Sequence, residues 1–483
     1  MSIPRSVLLV RTFRPLGTGG PIPPTGLLYV AGALRRAFPE LHIELVDMGL
    51  GPLSVADLGD LVQQRQPDLV GLSAMTCEAE LLHDVVAELN RRLPQLPVIV
   101  GGPHGSVAWS TVLADPGVDV VVLGEAEDTV VDLLRVLDQP DELAAVAGIA
   151  FRDPRGVPTR SAERPPIADL DAAPEPAWDL VDLRAYRELP SWNGVRKEPF
   201  HAPVLTSRGC PYGCRFCHGL FGRQVRVRSP EHVLAELRLL HQRDGVREFH
   251  IIDDIFNLDP DRAGRICDGI VADGLDIAIA FPNGLRADIL EPALIEKLER
   301  AGTYKIHFGF ESSSQRLQRL TGKGLDIPRA LAAISQVART RILVGAYFML
   351  GLPTETEEEA RATIACAAGS DLDAAYFFKT TLYPGTELGD ADQQGEASPA
   401  ALADYHFFSS DRSNDIIPAP VLNALLLEAQ ARFWLRPRRL WRSFRKAPRK
   451  LEHLRSLLAM VAMLLQAWLV TKLADPPRGA DRG

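Results

Sequence analysis

Cys210, Cys214 and Cys217 fall within eight residues, in the run Thr206-Ser-Arg-Gly-Cys-Pro-Tyr-Gly-Cys-Arg-Phe-Cys-His218. A Gly/Pro-rich loop after a short apolar strand (Pro203 to Leu205) lets three thiolates converge on one centre. Thiolates are the usual ligands of iron–sulfur clusters, and four of them fill a four-iron cluster. Cys77, Cys267 and Cys366 stand singly in apolar or helical contexts, so a cluster held here keeps one iron open to another ligand. A structural zinc site is the rival, but it takes four ligands, commonly as two cysteine pairs. His218 would complete it only in awkward geometry, being adjacent to Cys217. Three buried or disulfide-bonded cysteines are the third reading, and a reducing cytoplasm gives such clustering little use.

The triad, with Phe216 just before the third cysteine, resembles the radical SAM superfamily. That resemblance implies a four-iron, four-sulfur cluster on Cys210, Cys214 and Cys217. S-adenosyl-L-methionine (SAM) would chelate the fourth iron and be cleaved to a 5'-deoxyadenosyl radical.

The elements that must position such a loop are legible as apolar periodicity. With 483 residues, 46% hydrophobic and 24% charged, the chain has the composition of a globular protein of two or three domains. Its formal charge of −9 argues against nucleic acid as a partner. Residues 1–140 alternate strands (Ser6 to Arg11, His42 to Asp47, Leu69 to Ala74, Val98 to Gly102, Val118 to Leu123) with helices such as Gly26 to Phe38 and Glu78 to Arg92. This is the pattern of a doubly wound, Rossmann-like α/β sheet whose ligands sit beyond the carboxyl ends of the strands. Those ends carry VDMGLGP, VGLSAMT, VIVGGPHGS and VVLGEAEDT. Glycine there admits close approach to a ligand, although each loop alone reads more readily as a turn.

Together with the opening PIPPTGLLYVAGALR, these loops resemble the cobalamin-binding domain that precedes the radical SAM core in one large class. By that resemblance Ser73, Thr76, Gly101, Gly102, His104, Gly124 and Glu125 line the corrin and its nucleotide tail. The D-x-H-x-x-G signature of other cobalamin domains is incomplete, because Asp47 is followed by Gly49 where the axial histidine would stand. Imidazole ligation of cobalt from this loop is therefore not expected, and His104 belongs to a different loop.

Residues 141–195, rich in Pro, Asp and Arg, read as an extended linker pinned by Trp178 and Leu180. From 196 to 400, strand and helix repeat six times, the expectation for a partial (β/α)6 barrel of the TIM type with its reacting groups at strand carboxyl ends. The strands are Pro203 to Ser207, Glu248 to Ile252, Asp276 to Phe281, Tyr304 to Gly309, Leu343 to Leu350 and Ala374 to Thr380. FHIIDDIFNLD, NGLRAD, FGFESSSQ, FMLGLPTET and LYPGTEL resemble the corresponding blocks of the same class. The resemblance places Asp253 and Asp254 near the amino group of SAM, Arg286 at its carboxylate and Glu311 at the ribose hydroxyls. An arginine fork suits a carboxylate, but an Asp253-Asp254 helix cap or an Arg286–Asp288 surface pair would use the same residues. Lys323 is similar to a lysine that follows the fourth strand in the family.

Residues 401–483 form a helical extension. Tyr405 to Phe408 leave the barrel pattern, Val421 to Phe433 read as a helix, and Arg432 to Arg455 carry ten Lys/Arg against Glu452 alone. Leu457 to Val470 is apolar but short for a bilayer span, which takes roughly 20 residues. Three readings stand. The segment lies at a membrane interface, or it is a helical pair on the barrel with solvated arginines, or it meets nucleic acid, against which the acidic remainder of the chain argues. No charged-then-apolar leader opens the chain, so the expectation is a cytoplasmic enzyme with peripheral contact at the inner membrane face.

The combined expectation is a cobalamin-dependent radical SAM methyltransferase acting on an unactivated carbon of a small or lipid-like substrate, with an electron donor such as flavodoxin or ferredoxin. A cyclase or rearrangement enzyme with the same cofactors is the alternative, and a non-catalytic cobalamin-binding protein the second. A methylthiotransferase would need three further cysteines in the N-terminal domain, where Cys77 stands alone.

Overall fold

The computed structural model describes residues 3–14, 20–51, 53–187, 189, 194–392, 414 and 416–474. It divides into two compact units. The first combines Met1–Trp192, Pro199–Phe256 and Thr381–Ser409; the second combines Asn193–Glu198, Asn257–Thr380 and Ser410–Gly483.

The first unit opens with β1 (Ser6–Arg11), α1 (Thr25–Ala37), β2 (His42–Asp47), α2 (Val55–Arg65), β3 (Leu69–Ser73), α3 (Ala79–Arg92), β4 (Val98–Gly101), α4 (Gly102–Val107), α5 (Trp109–Ala114), β5 (Val120–Val122) and α6 (Glu127–Val136). The five strands are parallel, in the order β2-β1-β3-β4-β5. Alternation puts Leu8 and Val10 into the core on one face and Val7 and Leu9 into the core on the other, as a sheet covered on both sides requires. Val10, Val70, Val100 and Val121 are fully enclosed, and each such burial stabilises by about 1.5–3 kcal/mol. The strand order reverses between β1 and β3, where an open α/β sheet forms its ligand crevice.

A hairpin, β6 (Ile149–Arg152) and β7 (Pro158–Arg160), extends this sheet antiparallel from β5. It lies where the sequence reads as linker. Its turn is closed by Asp153, whose Oδ1 accepts from the Arg155 and Val157 amides at 2.9 Å, a side-chain device of tight turns. Trp178 is buried as expected, its indole N–H donating to Glu236 at 2.9 Å, and Leu180 packs on the sheet core.

The unit continues with β8 (Ala202–Val204), a two-residue ribbon of β9 (Ser207–Arg208) and β10 (Arg226–Val227), α7 (Pro230–Asp244) and β11 (Glu248–Ile251), which pairs parallel with β8.

The second unit holds α8 (Pro260–Ala272), β12 (Ala278–Leu285), α9 (Pro292–Arg300), β13 (Thr303–Glu311), α10 (Gln315–Leu320), α11 (Ile327–Ala338), β14 (Leu343–Leu350), α12 (Glu357–Gly369) and β15 (Ala374–Lys379). These four strands pair parallel in sequence order. The helix starts are written locally. Asp259, Asp326 and Thr356 cap α8, α11 and α12 through side-chain acceptors, and Pro260 and Pro292 open their helices. Phe310, Phe348 and Phe377 stack along one face with centroids 5.2–5.3 Å apart.

A short helix, α13 (Glu387–Asp392), belongs to the first unit, whereas α14 (Ala419–Trp434), α15 (Pro437–Lys446) and α16 (Lys450–Ala474) belong to the second. The expected departure at Tyr405 to Phe408 lies outside the described residues. On the basic face of α15, three cations are engaged with backbone and Asp373 rather than solvated as the helical-pair reading expects, while Arg438 and Arg445 remain exposed. Arg439 donates to the carbonyls of Ala368, Ser370, Leu372 and Phe433 at 2.7–3.0 Å. Arg442 pairs with Asp373 at 2.6 Å, and Lys446 reaches the Ala338 and Ile342 carbonyls at 2.9 Å. Cations near a helix C-terminus satisfy its orphan carbonyls, and the ends of α11 and α12 supply them here. Among the described residues no helix is long and apolar enough to cross a membrane.

Candidate functional site

The triad sits on an excursion, residues 209–225, whose stem is the β9–β10 ribbon. Gly209 has φ +89°, and a side chain on it would collide with the Gln224 carbonyl, so the first bend of the loop admits only glycine. The Cys210 amide donates to Gly222 O and the Cys217 amide to Cys214 O, both at 3.1 Å. Cys210 and Cys214 are half-buried, Cys217 is exposed, and none is in a disulfide. Phe216 lies partly buried in the turn between the last two.

The far limb of the loop rests on residues that follow the sixth strand. Leu388 N donates to Arg215 O at 3.0 Å, Arg215 pairs with Glu387 at 2.7 Å, and the His218 ring bonds Pro384 O at 3.0 Å beside Tyr383. A carbonyl only accepts, so Nε2 of His218 carries the proton, and burial holds the ring below its ordinary pKa. His218 thus acts as an anchor of the loop.

Asp253 and Asp254 hold the near limb. Asp253, 2% exposed, accepts from the Thr206 amide at 2.6 Å, from the Thr206 hydroxyl and from the Ser207 hydroxyl at 2.7 Å. Both of its oxygens accept from donors that follow β8, so this residue holds the chain entering the loop. Asp254, more exposed than its neighbour, accepts the Gly209 amide at 3.2 Å.

At the strand ends of the N-terminal sheet, Gly102 (φ +83°) lies so close to β3 that a Cβ would fall 2.6 Å from Ser73 Oγ. Ser106, which the sequence reading passed over, ties together the turns that follow β4 and β5. Its hydroxyl donates to Gly102 O and accepts from Gly124 N, both at 3.0 Å. Nothing lies within 4 Å of a Cβ built on Gly124, and only Val122, at 3.8 Å or more, near one on Gly101. Thr76 is buried beside exposed Met75. His104 is fully enclosed with neither ring nitrogen paired among the described residues, and burial, with His83 adding, pushes it down to about 4. Open space over Gly124, no close contact at Gly101 and a neutral imidazole fit a flat ring with hydrogen-bonding substituents, as a corrin has.

The Asp47 loop follows β2, one strand away from the crevice. Asp47 is held by Arg11 at 2.7–2.9 Å, by the Gly49 amide at 2.8 Å and by the Tyr186 hydroxyl. A Cβ on Gly49 would lie 2.6 Å from Pro21 and 2.7 Å from Arg11, so no side chain can project there.

Glu125, expected at the corrin, is engaged with arginines of the cluster-loop stem. Its carboxylate pairs with Arg208 at 3.0 Å and with Arg226, while Glu127 takes the other side of Arg208 at 2.6 Å. All four side chains are at least nine-tenths buried. Arg208, Arg226 and Glu127 were not singled out from the sequence. The available signals were the two arginines flanking the loop and the two-residue spacing of the glutamates.

In the second unit, the Arg286 guanidinium is also engaged. It pairs with Asp288 at 2.8 Å and donates to the Lys323 and Gly324 carbonyls at 3.0 and 3.1 Å, while Asn257 brackets its backbone. The pair with Asp288 is thus formed, but largely buried rather than on the surface. Glu311 ends β13 at φ +64° with one oxygen on Lys323 at 2.8 Å.

A Rossmann-like sheet with an open glycine-lined crevice, together with a three-cysteine loop on a parallel strand–helix core, defines a cobalamin-binding radical SAM enzyme. Residues 17–134 match the family model for the B12 binding domain and residues 204–367 that for the Radical SAM superfamily. The chain is 32% identical over 381 residues to an uncharacterized methyltransferase of Pyrococcus horikoshii, covering 78% of this chain and 79% of that one. It is 27% identical over 374 residues to the anaerobic magnesium-protoporphyrin IX monomethyl ester cyclase of Rubrivivax gelatinosus, covering 76% and 65%. Among solved structures, the radical SAM methyltransferase TsrM of Kitasatospora setae, with cobalamin and a [4Fe-4S] cluster bound, superposes with a TM-score of 0.71 at 18% identity over 96% of this chain and all of that one. The chain belongs to the cobalamin-binding radical SAM family, with a four-iron cluster, SAM and cobalamin as its cofactors.

Proposed function

We propose that the enzyme transfers a methyl group to an unactivated carbon of a small or lipid-like substrate. When bound, the cluster with SAM supplies a 5'-deoxyadenosyl radical that removes hydrogen from carbon, and cobalamin supplies the methyl group. Cys210, Cys214 and Cys217 hold the cluster, with Phe216 beside it. Ser73, Thr76, Gly101, Gly102, His104 and Gly124 form the corrin cradle, and Asp254 and Glu311 contact SAM. Residues 1–140 are the cobalamin domain, 141–195 the linker, 196–400 the radical SAM core and 401–483 the extension. A one-electron donor of the flavodoxin or ferredoxin kind reduces the cluster.

The observation that carries this reading is that the cluster loop and the cobalamin strand ends share one compact unit and are ion-paired directly, through Glu125. Such juxtaposition is what positioning two cofactors against one substrate demands. The relationship to the cyclase of Rubrivivax gelatinosus supports a second reading, in which the same cofactors serve ring formation without methyl transfer.

The test is anaerobic reconstitution with iron, sulfide and cobalamin, followed by turnover with SAM, a low-potential reductant and extracted lipids. Methyl transfer yields S-adenosylhomocysteine and 5'-deoxyadenosine in equal amounts with methylated product. Deoxyadenosine without S-adenosylhomocysteine supports the cyclase reading instead.

The extension supports peripheral contact with a membrane. Leu451, Leu454 and Leu458, spaced as one helical stripe, are 74%, 41% and 60% exposed, and Trp441 is 64% exposed on α15. Arg438, Arg445 and Lys450 are exposed as well. Aromatic and basic side chains of this kind suit the headgroup layer.

A further inference from the structure

We propose that Glu125 is a positioning residue that couples cobalamin binding to the set of the cluster loop, by bridging two arginines that would otherwise force the stem of the loop apart. The proposal deepens the methyl-transfer reading and rests on it.

Arg208 and Arg226 are direct cross-strand partners in the β9–β10 ribbon. Their side chains are 4% and 3% exposed. Like charges directly opposite on paired strands repel, and repulsion strengthens where water is excluded. The ribbon is two residues long on each side, so its ladder is too short to hold the stem against that force. One carboxylate spans both arginines, while the Ile167 and Phe221 carbonyls also accept from Arg226 at 2.7 and 3.1 Å. Glu125 Oε2 lies 3.0 Å from Nη1 of Arg208 and 3.0 Å from Nη1 of Arg226, and Oε1 meets the second nitrogen of Arg226. Glu127, the first residue of α6, balances the remaining charge on Arg208, whose guanidinium lies 4.9 Å from the Tyr29 ring of α1 and 5.3 Å from the Phe221 ring of the loop.

The carboxylate belongs to the other half of the machinery. Glu125 follows Gly124, whose open face forms part of the corrin cradle and whose amide is fixed by Ser106. A cofactor seated over Gly124 orders the turn that carries Glu125. The stem closes two residues before Cys210, so order in that turn is transmitted to the first thiolate. Coupling between two sites is reciprocal in binding free energy. A formed cluster must therefore tighten cobalamin binding by the factor with which cobalamin favours the cluster-ready loop.

The experiment measures the affinity of the full chain for aquacobalamin by anaerobic absorbance titration, with the cluster reconstituted and after its removal by chelation. Wild type binds at least about fivefold more tightly with the cluster than without it. In Glu125→Gln the ratio falls below about twofold, while both forms still bind. If Glu125→Gln loses the wild-type circular dichroism, Glu125→Gln/Arg226→Gln, which removes one buried charge of each sign, takes its place with the same expectation. A variant that keeps the wild-type ratio overturns the coupling. So does a wild-type chain that holds cluster and cobalamin with a ratio of one, and that result leaves the methyl-transfer reading standing. A chain that binds no aquacobalamin in either form overturns both.

Discussion

Glu311 occupies the left-handed region at φ +64°, where an L-residue other than Gly, Asn or Asp costs about 1–2 kcal/mol. Strain of this kind persists where the surroundings over-determine it and clusters at ligand sites. The Lys323 ion pair accounts for one oxygen; the proposed SAM contact would give the other a ribose hydroxyl. Glu311→Gln keeps shape and strain but replaces charge-assisted hydrogen bonds, worth about 1.5–3 kcal/mol, by neutral ones of about half that strength or less. Affinity for SAM should fall roughly tenfold, read by equilibrium dialysis, with iron per chain unchanged. Unchanged SAM affinity with a lower melting temperature would make Glu311 a structural partner of Lys323 alone. The residue types at this site were legible in the sequence, because Cys-x3-Cys-x2-Cys and acids at strand ends are local patterns. The partnerships were not. Asp253 meets Thr206 across 47 positions and Glu125 meets Arg226 across 101, and no local period marks pairs so distant. Hence Asp253 and Arg286 read as ligands and proved to be engaged by the protein itself.

Elements were easier to read than partnerships. The five N-terminal strands and six core strands lie where apolar periodicity put them, shifted at their ends, because each buries a run or an alternation that physics reads locally. The β6–β7 hairpin was hidden in Pro- and Arg-rich composition, although Asp153-Pro-Arg-Gly156 is a turn with a mechanism. The inward face of α15 was hidden for another reason. Arginines at three- and four-residue spacing look the same whether they meet water or the carbonyl ends of α11 and α12. The cluster loop is the element whose shape depends most on one small residue. In Gly209→Ala the new methyl meets the Gln224 carbonyl at a positive φ, so the two sides of the stem must separate at a cost of about 2 kcal/mol. Iron retained after anaerobic reconstitution and desalting should drop well below wild type, with the melting temperature lowered by a few degrees. Retention at the wild-type level would mean that the stem does not set the loop.

The charge of the whole molecule is divided. Residues 432–455 carry +9 by formal count, leaving −18 on the remainder of a chain whose total is −9. An anionic bilayer would repel most of this protein, so attachment must be local and strongly screened by salt. The cations available for it are fewer than composition suggests, because Arg439, Arg442 and Lys446 are engaged with backbone and Asp373. Lys450 likewise donates to the Phe444 and Arg445 carbonyls, which leaves Arg438 and Arg445 exposed, each worth about 1 kcal/mol near an anionic surface, beside the uncharged contribution of Trp441 and the leucine stripe. Binding of the full chain to vesicles containing phosphatidylserine, followed by sedimentation, should therefore weaken as salt rises from about 0.1 M to about 1 M, over which the screening length shrinks from about 10 Å to about 3 Å. Arg438→Glu/Arg445→Glu should lose binding more than tenfold at low salt and behave like wild type at high salt, where only the apolar part remains. Trp441→Ser should lose binding at every salt concentration. Arg439→Met should melt earlier yet bind vesicles as wild type does, since its guanidinium is turned inward. If vesicles fail to bind the wild-type chain at low salt, or if Arg439→Met is the variant that detaches, the exposed stripe is a surface for something other than lipid, and the lipid-like substrate loses its structural support.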